Sequence, residues 1–119
     1  VTGNLPLFCA PMPRDPSPPT GENLDNGLKA TIARALDINH AVHDGAIMAR
    51  RRHEAEPYCI EGWSFRLFPP DGELAAISNR GSAFHSSLSM STVHRVDRVY
   101  LVSRGTVTRF EAGNCLTLT

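Results

Sequence analysis

Residues 24–49 read LDNGLKATIARALDINHAVHDGAIMA, and this stretch decides the fold. Leu24, Leu28, Ile32 and Leu36 recur every four residues with Ala35 beside them, the pattern of an amphipathic helix burying one stripe. Asn23 is the candidate N-cap, and Asp25 suits the positive end of the helix dipole. Gly27 weakens the first turn by about 1 kcal/mol relative to Ala. The helix is expected to end between Asp37 and Asn39. His40-Ala41-Val42-His43-Asp44-Gly45 then reads as a loop, and Ala46-Ile47-Met48-Ala49 as a short apolar strand.

Downstream, Tyr58 to Phe68 reads as a second strand with Ile60, Phe65 and Phe68 among its apolar positions. Pro69-Pro70-Asp71-Gly72 is a turn signal, and Glu73 to Ser78 is either strand or an irregular approach to Gly81. Ser82 is a good N-cap for a helix running to about Ser91 that buries Phe84 and Leu88. Val96 to Val102 reads as a buried strand. Arg104-Gly105 turns into the strand-favouring Thr106-Val107-Thr108-Arg109-Phe110, and Ala112-Gly113-Asn114 turns again before Leu116 to Thr119. Helices and strands interleave, so the expected class is α/β or α+β, with a mixed sheet flanked by helices.

Upstream lies a different composition. Residues 1–23 hold six of the nine prolines, none of which can donate to a backbone ladder. They read either as an extended arm, laid across the body or a neighbouring subunit, or as a plain disordered tail. The domain proper is expected over residues 24–119. The whole chain, at 119 residues, suits one core without staples.

Twelve basic residues balance twelve acidic ones, so overall charge gives no support to binding nucleic acid or an anionic membrane. No direct nucleic-acid contact is expected. Cys9, Cys59 and Cys115 are odd in number and lack a C-x-x-C pair, which argues against a disulfide framework and for a reducing compartment. No apolar run is long enough to span a membrane, and the first residues lack the cationic start of a secretory signal. The cytoplasm is therefore the expected location.

Two places can carry chemistry. Asp44, where a loop enters a strand, can hold a hard cation or accept a proton from a sugar hydroxyl, while Gly45 allows another group to approach closely. The competing reading is an ordinary Asp-Gly turn. Arg80-Gly81-Ser82 opens a helix, where free N–H groups and a hydroxyl suit an anion, although most helix starts look similar. His40, His43 and Asp44 supply three potential metal ligands within five residues, with His85 a candidate fourth, but chance alone produces such spacings among five histidines. His43 is expected to pack beside the Asp44 turn.

The order of the two pieces resembles the diadenylate cyclase family, the domain found in DNA-integrity-scanning proteins. Val42-His43-Asp44-Gly45-Ala46-Ile47-Met48 is similar to the family's Leu-His-Asp-Gly-Ala segment. Gly81 to Ser91 matches in length and framing its Gly-Thr-Arg-His-Arg-Ala-Ala-Leu segment. The likeness covers about residues 24–115. It implies a diadenylate-cyclase-like fold, shortened at the N-terminus where the Pro-rich arm replaces the family's first strands.

By the same likeness, Asp44 holds Mg²⁺ or Mn²⁺ and sits beside the attacking ribose 3′-hydroxyl. His43, Gly45, Ala46, Arg80, Gly81, Ser82 and His85 would contact an adenine nucleotide, either ATP or cyclic di-AMP. The family's Arg-His-Arg positions fall on Ala83, Phe84 and His85, so two charge-assisted bonds to phosphate are missing, each worth roughly 1.5–3 kcal/mol. Arg80 stands beside that gap, and the Arg50-Arg51-Arg52 run is a second source of charge. The implied function is nucleotide binding with impaired catalysis. The alternatives are an active cyclase making cyclic di-AMP from two ATP, and a scaffold or oligomerisation module without nucleotide. A homo-oligomer is implied, because the family works in facing pairs.

Overall fold

The computed structural model describes residues 1–68, 70 and 81–118. In chain order its elements are β1 (Cys9–Pro11), α1 (Leu28–Ile38), a 3-10 turn (His40–His43), β2 (Ala46–Arg50), β3 (Cys59–Leu67), α2 (Ser82–Met90), β4 (Val99–Ser103), β5 (Thr106–Glu111) and β6 (Asn114–Thr117). Two units form, residues 1–5 with 9–67 and residues 6–8 with 68–119. Among the described residues each holds one α-helix and one antiparallel three-stranded sheet, ordered β1-β3-β2 and β4-β5-β6, which makes the class α+β. The single mixed sheet expected from the sequence is thus replaced, among the described residues, by two antiparallel ones. The reason is local: the last three strands are joined by two-residue turns, which permit only antiparallel neighbours.

β3 is the centre of the first unit. Its register against β2 slips twice, so that Met48 faces Gly62 while Ala49 faces Ile60. These bulges break the alternation and leave Trp63, Ser64 and Phe65 buried in succession. A Cβ on Gly62 would run into the Phe65 ring, so the bulge requires glycine there.

The Pro-rich segment follows the outer edge of β3. Met12 N–H donates to the Ser64 carbonyl at 2.7 Å, continuing the β1 pairing, and further along Gly21 N–H donates to the Ile60 carbonyl at 2.8 Å. Between these points residues 13–20 leave the ladder as an arch. Trp63 Nε1 donates to the Pro19 carbonyl at 2.9 Å and Asn39 Nδ2 to the Pro16 carbonyl at 3.0 Å. Prolines are tolerated because the segment is an edge, and four of them sit in the arch where no ladder bond is needed.

α1 starts one turn later than the leucine spacing predicts. Gly27 adopts a left-handed conformation with φ +78°, which stops the helix from extending back to Leu24. Asn23 caps a turn instead, its side chain accepting from Asp25 N–H at 2.8 Å. Leu28 is consequently exposed, and the buried face is Thr31 and Ala35. Ala35, Val42, Ile60 and Trp63 form the core, with Leu24, Ile32 and Leu36 packed on it.

In the second unit Phe110 is wholly buried, and Phe84 meets it edge-on at 5.0 Å between centroids. Leu88 is buried on the same helix, as its spacing predicts. Both hairpins turn through two residues of positive φ, Arg104-Gly105 (50° and 77°) and Ala112-Gly113 (50° and 80°), the twist that suits tight hairpins. The strand expected over 96–102 begins only at Val99, and Val102 is 72% exposed, so one face of β4 is open to solvent. The buried Ser91 hydroxyl donates to the Leu88 carbonyl at 2.6 Å and accepts from Gly113 N–H at 3.0 Å, tying the end of α2 to the β5–β6 turn.

None of Cys9, Cys59 and Cys115 is in a disulfide, and burial pushes the Cys9 thiol up. Among the described residues no helix is long and apolar enough to cross a membrane.

Two substitutions test the hairpin account by chemical denaturation. Ser91→Ala strands the Gly113 N–H and should cost about 1–2 kcal/mol. Ala112→Asn relieves a left-handed alanine with a residue that tolerates that conformation, and should stabilise by about 0.5–1 kcal/mol.

Candidate functional site

The residues singled out by the sequence divide between the units. His43, Asp44, Gly45 and Ala46 belong to the first; Gly81, Ser82 and His85 belong to the second. Arg80, the Pro69-Pro70-Asp71-Gly72 turn and the Glu73 to Ser78 stretch lie outside the described residues, apart from Pro70.

In the first unit the loop preceding β2 is a 3-10 turn. Asn39 opens it, its side-chain oxygen accepting from Ala41 N–H at 3.0 Å. Asp44 closes it, donating its N–H to the Ala41 carbonyl at 3.1 Å. The Asp44 carboxylate is exposed and has no hydrogen bond or ion pair among the described residues. His43 Nδ1–H donates to the His40 carbonyl at 2.7 Å, which fixes the tautomer and leaves Nε2 outward. The two imidazole centroids are 5.0 Å apart, yet no group of three or more His, Cys, Asp or Glu side chains is gathered for a metal among the described residues.

Gly45 does permit a close approach, but the approaching group is the chain itself. At φ +87° a Cβ would lie 2.6 Å from the Met12 methyl and 2.9 Å from the Phe65 carbonyl oxygen. Ala46 pairs with Phe65 in the β2–β3 ladder. The arginine run is likewise engaged. Arg50 donates to the Gly3 carbonyl at 2.8 Å and stands 3.3 Å from the Glu61 carboxylate. Arg51 donates to Thr2 Oγ1 at 2.9 Å and lies over the Tyr58 ring.

In the second unit Gly81, not Ser82, is the N-cap of α2, and no side chain caps that end. Ser82 is the first helical residue and is exposed. Among the described residues a Cβ on Gly81 would meet nothing within 4 Å, so they leave the helix start open. His85 is half-buried, and its Nδ1 is buried without a hydrogen-bond partner among the described residues.

Gly81 borders a groove of about 500 Å³. Ala83 and Phe84 of α2 line it from the helix, and Leu101, Ser103, Arg104, Thr106 and Thr108 of the β4–β5 hairpin line it from the sheet. Leu101, Ser103, Thr106 and Thr108 share one face of the sheet because Leu101 pairs with Thr108 and Ser103 with Thr106. Sequence reasoning overlooked Arg104 and the three hydroxyls. The available signal was an Arg-Gly turn between two alternating strands, which puts a charge at a hairpin tip.

Family models, curated proteins and solved structures give no match to this chain.

Gly45→Ala should destabilise the first unit by about 2 kcal/mol or more, because strain at positive φ adds to a backbone clash. Urea unfolding followed by Trp63 fluorescence reads this directly. An unchanged midpoint would refute the structural role given to Gly45.

Proposed function

We propose that the chain is a nucleotide-binding domain related to the diadenylate cyclases, with cyclase chemistry lost. The observation that carries the reading is the second unit's groove, where an open helix start, an arginine and three hydroxyls border one space. Helix starts favour phosphate through their unpaired N–H groups and the helix dipole. The order of the His43-to-Met48 and Gly81-to-Ser91 segments supports the family assignment.

The loss of catalysis rests on chemistry at Ala83 and Phe84. The family's first arginine position is a methyl group here, and its histidine position is a ring packed against buried Phe110. Transition-state charge on a departing pyrophosphate needs cations held in place, and these residues supply none. Mg²⁺ or Mn²⁺ is bound largely through the phosphates of its substrate and keeps several waters, so the cation would arrive with the nucleotide. The partner is ATP or cyclic di-AMP in the cytoplasm, where unpaired thiols persist. A second copy of the chain is the partner protein, and the exposed Tyr100, Val102 and Leu116 of the second sheet are consistent with association.

Calorimetry with ATP, GTP and cyclic di-AMP, with and without Mn²⁺, tests the reading. Saturable binding of an adenine nucleotide with Kd on the order of 0.1–1 mM is expected, weakened by chelation. Incubation with ATP and Mn²⁺ should yield no cyclic di-AMP. Absence of heat and of thermal shift with every nucleotide would reject the proposal. Product formed by the wild type but not by Asp44→Asn would overturn the claim of lost catalysis.

A further inference from the structure

We propose that Arg104 is the specificity-determining residue of the α2 groove, and that it selects ligands carrying a phosphate chain; this rests on the nucleotide reading above. The composition of the groove, not the helix start, sets this preference. Arg104 makes no hydrogen bond or ion pair among the described residues. Among the described residues that line the groove there is no carboxylate. The nearest acid of the same sheet in sequence, Glu111, sits at the far end of β5 from the Arg104 turn and is held by Arg98 at 3.1 Å.

The hydroxyls give the charge its context. Ser103 and Thr106 flank the turn as a paired register position, and Thr108 follows on the same face. None of the three side chains has a hydrogen-bond partner among the described residues. One guanidinium with three hydroxyl donors along a wall of two strands matches an elongated anion with several oxygens, as in a di- or triphosphate. Phe84 on the helix side and Leu101 beside Thr108 on the sheet offer apolar surface to a ring attached to such a chain.

A second groove on the unit provides the contrast. It holds about 350 Å³, and Arg109 and Glu111 both line it, so it carries a carboxylate beside its cation and does not favour anions. The charge that Ala83 and His85 fail to provide is thus present in the groove from a different element. It comes from a hairpin tip whose left-handed φ of 50° holds the residue in a turn.

The test uses the full chain with inorganic tripolyphosphate and ATP as probes, read by calorimetry at low and high salt. Arg104→Asn removes the charge while keeping a residue that suits the turn, so it should fold at least as well as wild type, and a melting curve checks this. Loss of roughly ten- to a hundredfold in affinity for both probes is expected. Arg104→Lys should recover part of it, and Thr108→Val should lose a few-fold. Equal binding by wild type and Arg104→Asn overturns the assignment while leaving nucleotide binding intact. Tripolyphosphate binding that depends on Arg104, with ATP no tighter, upholds the phosphate seat and refutes the nucleotide reading. Failure of the wild type to bind either probe overturns both.

Discussion

The edge-on contact of Phe84 with Phe110 holds α2 across the second sheet, and the groove exists because of it. Phe110 is wholly buried at the middle of the three strands, so the helix is anchored where the sheet is most completely paired. Among the described residues, the small Gly81 and Ala83 precede that anchor and leave space between the start of α2 and the β4–β5 hairpin. Ser91 secures the other end of the helix through the β5–β6 turn. Held in its first turn by Phe84 and at its C-terminal end by Ser91, α2 lies with its start beside the hairpin. Small residues beside an aromatic anchor in one turn leave a groove rather than a filled core.

The first unit is organised by a different constraint, the demand of β3 for partners on both edges. β2 satisfies one. The other is taken by a segment that composition alone would assign to irregular structure. It pairs, arches out over Trp63, and pairs again, so each proline sits where no donor is required. The same arrangement explains the His-Asp-Gly loop. Met12 of that edge and the backbone of Phe65 press on Gly45, and the glycine that looked suited to a ligand is needed to seat the loop against its own sheet. Asp44 remains outward and unengaged.

Much of this was legible in the residues. Gly105 and Gly113 mark two hairpins whose strands alternate, and Phe84 and Leu88 mark the buried face of α2. The start of α1 was misplaced because leucine spacing continues through Gly27, whereas backbone conformation does not. The division into two sheets was not legible, since strand composition does not state which partner a strand will choose. The buried run Trp63-Ser64-Phe65 depends on bulges that only the paired strand reveals. Arg104 was overlooked for the same kind of reason: its relation to Phe84 and Thr108 is set by hairpin register across elements far apart in sequence. The motif resemblance directed attention to Gly81, and the groove that Gly81 borders drew its cation from elsewhere.

Two sites therefore compete for the role of ligand contact, an exposed carboxylate in the first unit and a cationic groove in the second. The groove is the proposed seat for phosphate. Amide-resolved NMR during an ATP titration separates the alternatives most directly. Shift changes concentrated at Gly81 to Phe84 and Leu101 to Thr108, saturating with one binding curve, are the predicted result. Changes confined to Asn39 to Met48, or no changes at millimolar ATP, would contradict it.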